Sequence, residues 1–439
     1  MIYNKITKKG ERLSKNEICG MIMEIKRDFY LQKLIDRENN GLIKIVTGIR
    51  RSGKSYLLNT LFHRYLNEKG VDNEHIIKVA LDSEESEPLL ESMALTNYVK
   101  ERIKDDKIYY IILDEIQKAT NFVAILNGFL RFPNVDIYVT GSNSKFLSSD
   151  IVTEFRGRGD EIRMYPLSFS EFCSAYDGRV EKAWKDYYTF GGLPLVLLQK
   201  SDEAKMNYLS GQLNNVYIND VVERNGIYNQ TELSVLLEVV SSSIGSLVNP
   251  LKLSNTFRSV SDSSITDRTI SKYLGYLQDA FILEKSKRFD VKGKKYMATP
   301  AKHYFTDLGI RNAVVNFRQT EETHIMENII YVELRMRGFN VDVGLVEVKE
   351  KQEDGKYTKK KLEIDFIANK GNNKYYIQSA FSASLPEKRK QEERSLIKVN
   401  DSFKKIIVVR DDIKPYRDDN GILTIGLFDF LLEPNSLDM

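Results

Sequence analysis

GLIKIVTGIRRSGKS, at residues 41–55, is an apolar strand pattern that runs into a glycine-bounded loop and then into a helical pattern beginning near Ser55. Gly48 to Ser55 fits G-x-x-x-x-G-K-[ST] at every fixed position, in the strand–loop–helix context that gives the motif its meaning. The glycines let the backbone fold so that N–H groups point inward around phosphates. The start of the following helix adds its positive end. Gly48, Ile49, Arg50, Arg51, Ser52, Gly53, Lys54 and Ser55 are therefore expected to cradle a nucleotide, with Lys54 on the β- and γ-phosphates of ATP and the Ser55 hydroxyl on Mg²⁺. A chance Gly-Lys-Ser turn would lack the flanking strand and helix.

Working outward, strand patterns recur at 76–81, 108–113, 135–140 and 161–165, with helical patterns such as 55–69 and 119–132 between them. That alternation predicts an α/β fold with a parallel sheet. The third strand is apolar throughout and ends in Asp114-Glu115, which a parallel sheet places at the crevice where ligands bind. Asp114 is expected in the Mg²⁺ shell and Glu115 as the base that polarises the attacking water; the bland alternative is a pair of acids at a solvated helix start. The fourth strand ends in TGSNS, residues 140–144, where Asn143, then Ser142, are the candidates to meet the γ-phosphate or the water. Arg156 and Arg158, in FRGRGD just ahead of the fifth strand, are candidate arginine fingers, in cis or from a neighbouring subunit.

GIRRSGKS, ILDEIQ, TGSNS, EFRGRGDEIRMYPLSFSEF and FGGLP (190–194) together resemble the prokaryotic AAA-type ATPases that carry a C-terminal domain of unknown function, DUF4143, over nearly the whole chain after Met23. The resemblance implies an ASCE-type P-loop ATPase core, a winged-helix region and a C-terminal α/β domain similar to the restriction-endonuclease fold. The expected layout is a loose basic extension at 1–22, the core at 23–167, a helical lid plus winged helix at 168–320, and the nuclease-like domain at 321–439.

The middle region supports the winged-helix reading from its own pattern. A short helix at 250–257 precedes a second helix at 264–281 with an apolar stripe, capped by Ser264 or Thr266, and a basic hairpin follows. Arg268, Ser271 and Lys272 are expected on the outer face of the second helix, and Lys292, Lys294 and Lys295 on the wing. Such a module can meet DNA, although in ATPases of the type that the chain resembles it often serves only as a lid or an interaction domain. In the C-terminal region Glu327, with Glu333 as the lesser choice, and Asp365 occupy positions where a nuclease of this fold would hold Mg²⁺. Gln378 and Ala380 then stand where it needs an acid and a lysine. Nuclease activity is not expected, and Glu327 and Asp365 are read as a vestigial second metal site.

Composition narrows the remaining classes. The 439 residues carry 65 Lys and Arg against 62 Asp and Glu. Five of those basic and two of those acidic residues lie in 1–22, so the rest of the chain, with 60 of each, is neutral. Any nucleic-acid surface must be a local patch. Two cysteines exclude a disulfide framework and suit a reducing, cytoplasmic setting. No 18-residue uncharged apolar run is present. The functional expectation is an ATP-hydrolysing switch or motor that acts on nucleic acid or a partner protein, as a homo-oligomer. A nucleotide-dependent nuclease and a non-hydrolysing ATP-bound scaffold are the alternatives.

Overall fold

The computed structural model describes residues 25–141, 155, 157–261, 265–318, 322–351, 357–382 and 386–439. The basic extension at 1–22 lies outside the described residues. Five strands, β1 (Ile43–Thr47), β2 (Ile76–Ala80), β3 (Tyr109–Asp114), β4 (Val135–Thr140) and β5 (Gly159–Arg163), form one sheet in the order β2-β3-β4-β1-β5. Every pairing is parallel, as the alternating pattern predicts. Both faces are covered. Tyr109, Ile111 and Leu113 of β3 pack with the helices Ser92–Lys100 and Phe122–Phe129. Tyr110 and Ile112 face the helix Asp28–Ile35 and the long helix at 54–68 that follows the glycine loop. Burial on both faces is why these strands read as unbroken apolar runs.

One exception sits inside that sheet. Lys44 of β1 is fully buried and pairs with Asp136 of β4, which also accepts hydrogen bonds from the Tyr138 hydroxyl at 2.8 Å and the Asn39 N–H at 3.0 Å. Burial pulls the Lys44 ammonium below its usual pKa, and Asp136 opposes the shift.

A second sheet has nine strands: β6 (Leu247–Val248), β7 (Leu283–Asp290), β8 (Lys295–Phe305), β9 (Asn340–Lys351), β10 (Tyr357–Lys370), β11 (Asn373–Ala380), β12 (Lys404–Val409), β13 (Tyr416–Arg417) and β14 (Leu423–Gly426). Their order is β13-β14-β12-β11-β10-β9-β7-β8-β6. The helices Pro250–Ser261 and Asp267–Asp279 and the β7–β8 hairpin follow one another as a winged helix would. Thr266 caps the second helix; Ser264 lies outside the described residues. The hairpin is not a free wing, because β7 pairs in parallel with β9 through Arg288–Val343, Phe289–Gly344 and Asp290–Leu345. Strands from both sides of residue 320 thus share one sheet. The helix Glu322–Met336 crosses it, and its residues from Ile325 to Leu334 are all buried.

The two sheets meet at a buried carboxylate. Glu284 of β7 is buried and accepts from the Tyr165 hydroxyl at 2.6 Å, Arg163 Nη2 at 2.8 Å, Arg335 Nε at 2.9 Å and the Tyr331 hydroxyl at 3.2 Å. Burial alone would raise its pKa; Arg163 and Arg335 outweigh that and hold it below the usual glutamate value.

Removing one partner of a buried ion pair leaves an uncompensated charge, at about 3–5 kcal/mol. Asp136→Leu should therefore lower stability by about that amount in chemical denaturation. Lys44→Met/Asp136→Leu should recover most of the loss, and a double variant no more stable than the single one would show that the pair is not coupled.

Candidate functional site

Parallel strands bring their carboxyl ends to one edge, and the residues singled out by the glycine motif gather there. The loop Gly48–Gly53 leaves β1. Gly48 has φ +138°, and a Cβ at that position would lie 2.0 Å from the Met164 carbonyl oxygen, so only glycine fits. Gly53 has φ +97° and starts the helix with Lys54 and Ser55 in its first turn. The loop borders a cleft of about 540 Å³, large enough for a nucleotide.

Lys54 Nζ is buried and donates to the carbonyl oxygens of Gly48 at 2.9 Å and Ile49 at 3.1 Å. Burial pulls its pKa down to about 8, with Glu115 and Asp114 acting against the shift. Asp114 ends β3, and burial raises its carboxyl pKa against hydrogen bonds from the Thr140 and Ser55 hydroxyls. Asn59 donates to its other oxygen at 3.3 Å, from a π-helical stretch, Leu57–Phe62, in the helix after the loop. Glu115 has φ +51°; its N–H donates to Thr140 Oγ1 at 2.9 Å, and the Gln117 amide donates to its carboxylate.

Two further groups bear on what the cleft can hold. Ser52 Oγ and Arg27 Nη1 are buried, and neither has a hydrogen-bond partner. Both residues line the cleft; Arg27 is held there by the Glu171 carboxylate at 3.3 Å and by the Tyr165 carbonyl oxygen, to which its Nη2 donates at 2.6 Å, whereas Ser52 leaves a buried hydroxyl without a partner in the phosphate loop. The Ser55 hydroxyl and the Asp114 carboxylate, hydrogen-bonded to each other, supply the hard oxygens that Mg²⁺ prefers. The residues present therefore fit ATP with Mg²⁺.

The remaining candidates fall elsewhere. Ser142, Asn143 and Arg156 lie outside the described residues. Arg158 stands at the opposite edge of the sheet: its carbonyl accepts from Ile43 at the start of β1, and its Nη1 donates to Asn127 at 3.1 Å. The five residues of β1 put roughly 16 Å between that edge and the glycine loop, so Arg158 does not reach the cleft of its own chain. Glu327 and Asp365 do come together, and Lys302 Nζ stands between them, 2.8 Å from Glu327 and 3.8 Å from Asp365. Glu333 is apart from them, paired with Arg337 at 2.7 Å.

Sequence reasoning passed over the groups that tie the middle region to the cleft. The Tyr217 hydroxyl donates to the Arg50 carbonyl at 2.8 Å, and Asp220 lies 3.5 Å from the Arg50 guanidinium. The turn Pro194–Leu198 supplies an apolar wall through Pro194, Leu195 and Leu198. That wall is set by Asp307, a buried carboxylate that accepts from the N–H groups of Gly192 at 2.8 Å and Ile310 at 3.0 Å. A Cβ on Gly191 would meet Asp307 Oδ1 at 2.3 Å, and one on Gly192 the Leu167 carbonyl at 2.4 Å. The FGGLP run is thus a packing joint.

Burial raises the Asp307 carboxyl to about 6, against the backbone N–H groups that favour its charge. The folded chain then holds this proton more tightly than the unfolded chain, so its contribution is fully present below about pH 4 and is lost as pH rises through about 6. A shift of that size corresponds to about 3 kcal/mol. Melting temperature measured from pH 4 to 7 should fall more steeply with pH for the wild type than for Asp307→Asn; parallel curves would contradict the assignment.

Comparison with known proteins agrees with this geometry. The family described as AAA domain matches residues 40–173, and a domain of unknown function, DUF8612, matches 181–321. The resemblance to DUF4143-bearing proteins is thus carried as far as the AAA domain, with DUF8612 as the second match. An uncharacterized protein of Haemophilus influenzae is 35% identical over 416 residues, 93% of this chain and 99% of that one. The uncharacterized protein MJ1544 of Methanocaldococcus jannaschii is 30% identical over 410 residues, 89% of this chain and 85% of that one. Among solved structures, the Walker-type ATPase PABY2304 of Pyrococcus abyssi is similar, with a TM-score of 0.47 and 13% identity over 66% of this chain and 96% of that one. No helix among the described residues is long and apolar enough to cross a membrane. With an AAA domain matched over the phosphate loop and its parallel sheet, the chain belongs to the family that includes the uncharacterized Haemophilus and Methanocaldococcus proteins.

Proposed function

We propose that the chain hydrolyses ATP in a Mg²⁺-dependent reaction and uses the cycle as a switch on a nucleic acid or a partner protein. The observation that carries this reading is the meeting of Lys54, Ser55, Asp114, Glu115 and Thr140 at one edge of one sheet, beside a nucleotide-sized cleft. Lys54 holds phosphate oxygens with its ammonium, assisted by the loop N–H groups. Ser55 and Asp114 would hold Mg²⁺, which would supply neutralisation of the phosphate charge. Glu115 accepts the proton of the attacking water at its carboxylate. Thr140 holds Asp114 with its hydroxyl and the Glu115 backbone with its oxygen, so it positions both acids. The Pro194–Leu198 wall orients the rest of the nucleotide. Arg158, at the far edge, would act as an arginine finger only from a neighbouring subunit in a homo-oligomer.

The switch reading follows from the contacts of Tyr217 and Asp220 with Arg50. Whatever moves the phosphate loop bears on the helical region, and that region carries exposed Arg268 and Lys272, with exposed Lys292, Lys294 and Lys295 on the hairpin. These residues are the ones available for phosphate contact if the partner is DNA.

Lys54→Ala should abolish nucleotide binding. Glu115→Gln should keep ATP bound and slow turnover by about 10²–10⁴-fold. Thr140→Val should lower turnover by about 10–100-fold with binding retained, as for other groups that orient a catalytic carboxylate. Steady-state ATPase rates and fluorescent-nucleotide titrations, with and without duplex DNA, measure all three. Wild-type turnover in Glu115→Gln would remove that residue from the catalytic role.

A further inference from the structure

Glu327 on a helix and Asp365 on β10 occupy the places where a nuclease of the restriction-endonuclease type would hold a divalent cation, and the structure shows what fills the space between them. Lys302, on β8, comes from the other side of residue 320. Its ammonium lies 2.8 Å from Glu327 Oε1, 2.8 Å from Glu363 Oε1 and 3.8 Å from Asp365 Oδ1. Lys302, Glu327 and Asp365 are all buried. Three carboxylates thus converge on one positive charge supplied by the chain itself.

The other requirements of a metal centre are used up as well. Gln378 stands at the third ligand position, but its amide oxygen accepts the Asp365 N–H at 3.4 Å, and its side chain is hydrogen-bonded to Glu392. Asp365 Oδ2 accepts the Ser379 N–H at 2.9 Å. Ala380, at the lysine position, is buried in an apolar cluster. Around Glu327, the Tyr304 hydroxyl takes Oε1 at 2.7 Å. The turn at Gly245 closes over Oε2, since a Cβ there would come within 3.0 Å of that oxygen and 3.1 Å of His324 Nδ1. Glu327 thus spends Oε1 on Lys302 and Tyr304 and has the Gly245 turn beside Oε2, while Glu363, a third exposed, closes the outer side of the cluster. Among the described residues no group of three His, Cys, Asp or Glu side chains is arranged to hold a metal ion.

We propose that the Lys302 ammonium takes the place of the divalent cation, so that this cluster is a closed ionic lock between the β7–β8 hairpin and the C-terminal strands, and not a nuclease centre. The residues do not fit a metal while Lys302 is present. The lock holds two segments that are remote in sequence.

The test uses Mn²⁺ as the probe, counted by electron paramagnetic resonance on the full-length, nucleotide-free protein. Wild type and Asp365→Asn should bind the same number of ions per chain, because any ion at Ser55 and Asp114 is common to both. Lys302→Met should gain one weak site per chain, lose melting temperature, and recover part of that loss on addition of Mn²⁺. An ion that wild type binds and Asp365→Asn does not would overturn the proposal, as would Mn²⁺-dependent plasmid cleavage that Asp365→Asn abolishes. A folded Lys302→Met, judged by circular dichroism, that gains no Mn²⁺ would overturn it too. If Lys302→Met does not fold, the wild type and Asp365→Asn comparison decides by itself.

Discussion

A carboxylate shut away between two guanidinium groups has little freedom, and Glu284 is in that position. It accepts from Arg163 at the end of β5, from Arg335 on the helix that crosses the nine-stranded sheet, and from Tyr165 and Tyr331 on the same two sides. Withdrawal of either arginine would leave buried charge uncompensated, so the two sheets cannot separate without a large electrostatic loss. Arg163 is also the neighbour of Met164, whose carbonyl oxygen is pressed against the Gly48 backbone. The phosphate loop and the second sheet are therefore linked through two consecutive residues at the exit of β5.

A second linkage runs through the helical region after residue 168. Asp307 gathers backbone N–H groups from Gly192 and Ile310 and so fixes the turn whose Pro194, Leu195 and Leu198 face the cleft. Tyr217 and Asp220 touch Arg50 from the adjoining helix. A ligand in the cleft touches elements that answer to the middle region on one side and to β5 on the other. A ligand bound in the cleft can be felt at a distance only through contacts of this kind, since a ligand shifts an equilibrium only through contacts that differ between states.

The core was legible because its signals are local. A glycine loop between a strand and a helix, with an apolar strand ending in two acids, carries its geometry in a short stretch, and β1 to β5 fall within two residues of their expected bounds. What escaped the sequence reading is long-range. Arg27 precedes β1 yet lines the cleft, and Thr140 sits in the quoted TGSNS run, where the residues after it drew attention. Lys302 meets acids that follow it by 25 to 63 positions. The hairpin at 283–305 reads as a free wing because nothing in its own residues announces pairing with β9; only the folded sheet does. FGGLP was visible as a motif, but its reason, close backbone approach around Asp307, needs coordinates to be seen.

The pairing of β7 with β9 bears on how the chain can be taken apart. A fragment beginning near residue 321 would keep β9 to β14 and lose the strand that covers the β9 edge, together with Lys302, which neutralises Glu327 and Asp365. Its outermost strand would be long, partly apolar and open to any other chain with a free edge. A fragment ending near 320 would strand the β7–β8 hairpin in the same way. Dissection by truncation at that point thus yields two pieces with matching sticky edges, and their self-association in solution would say more about the cut than about the assembly of the intact protein.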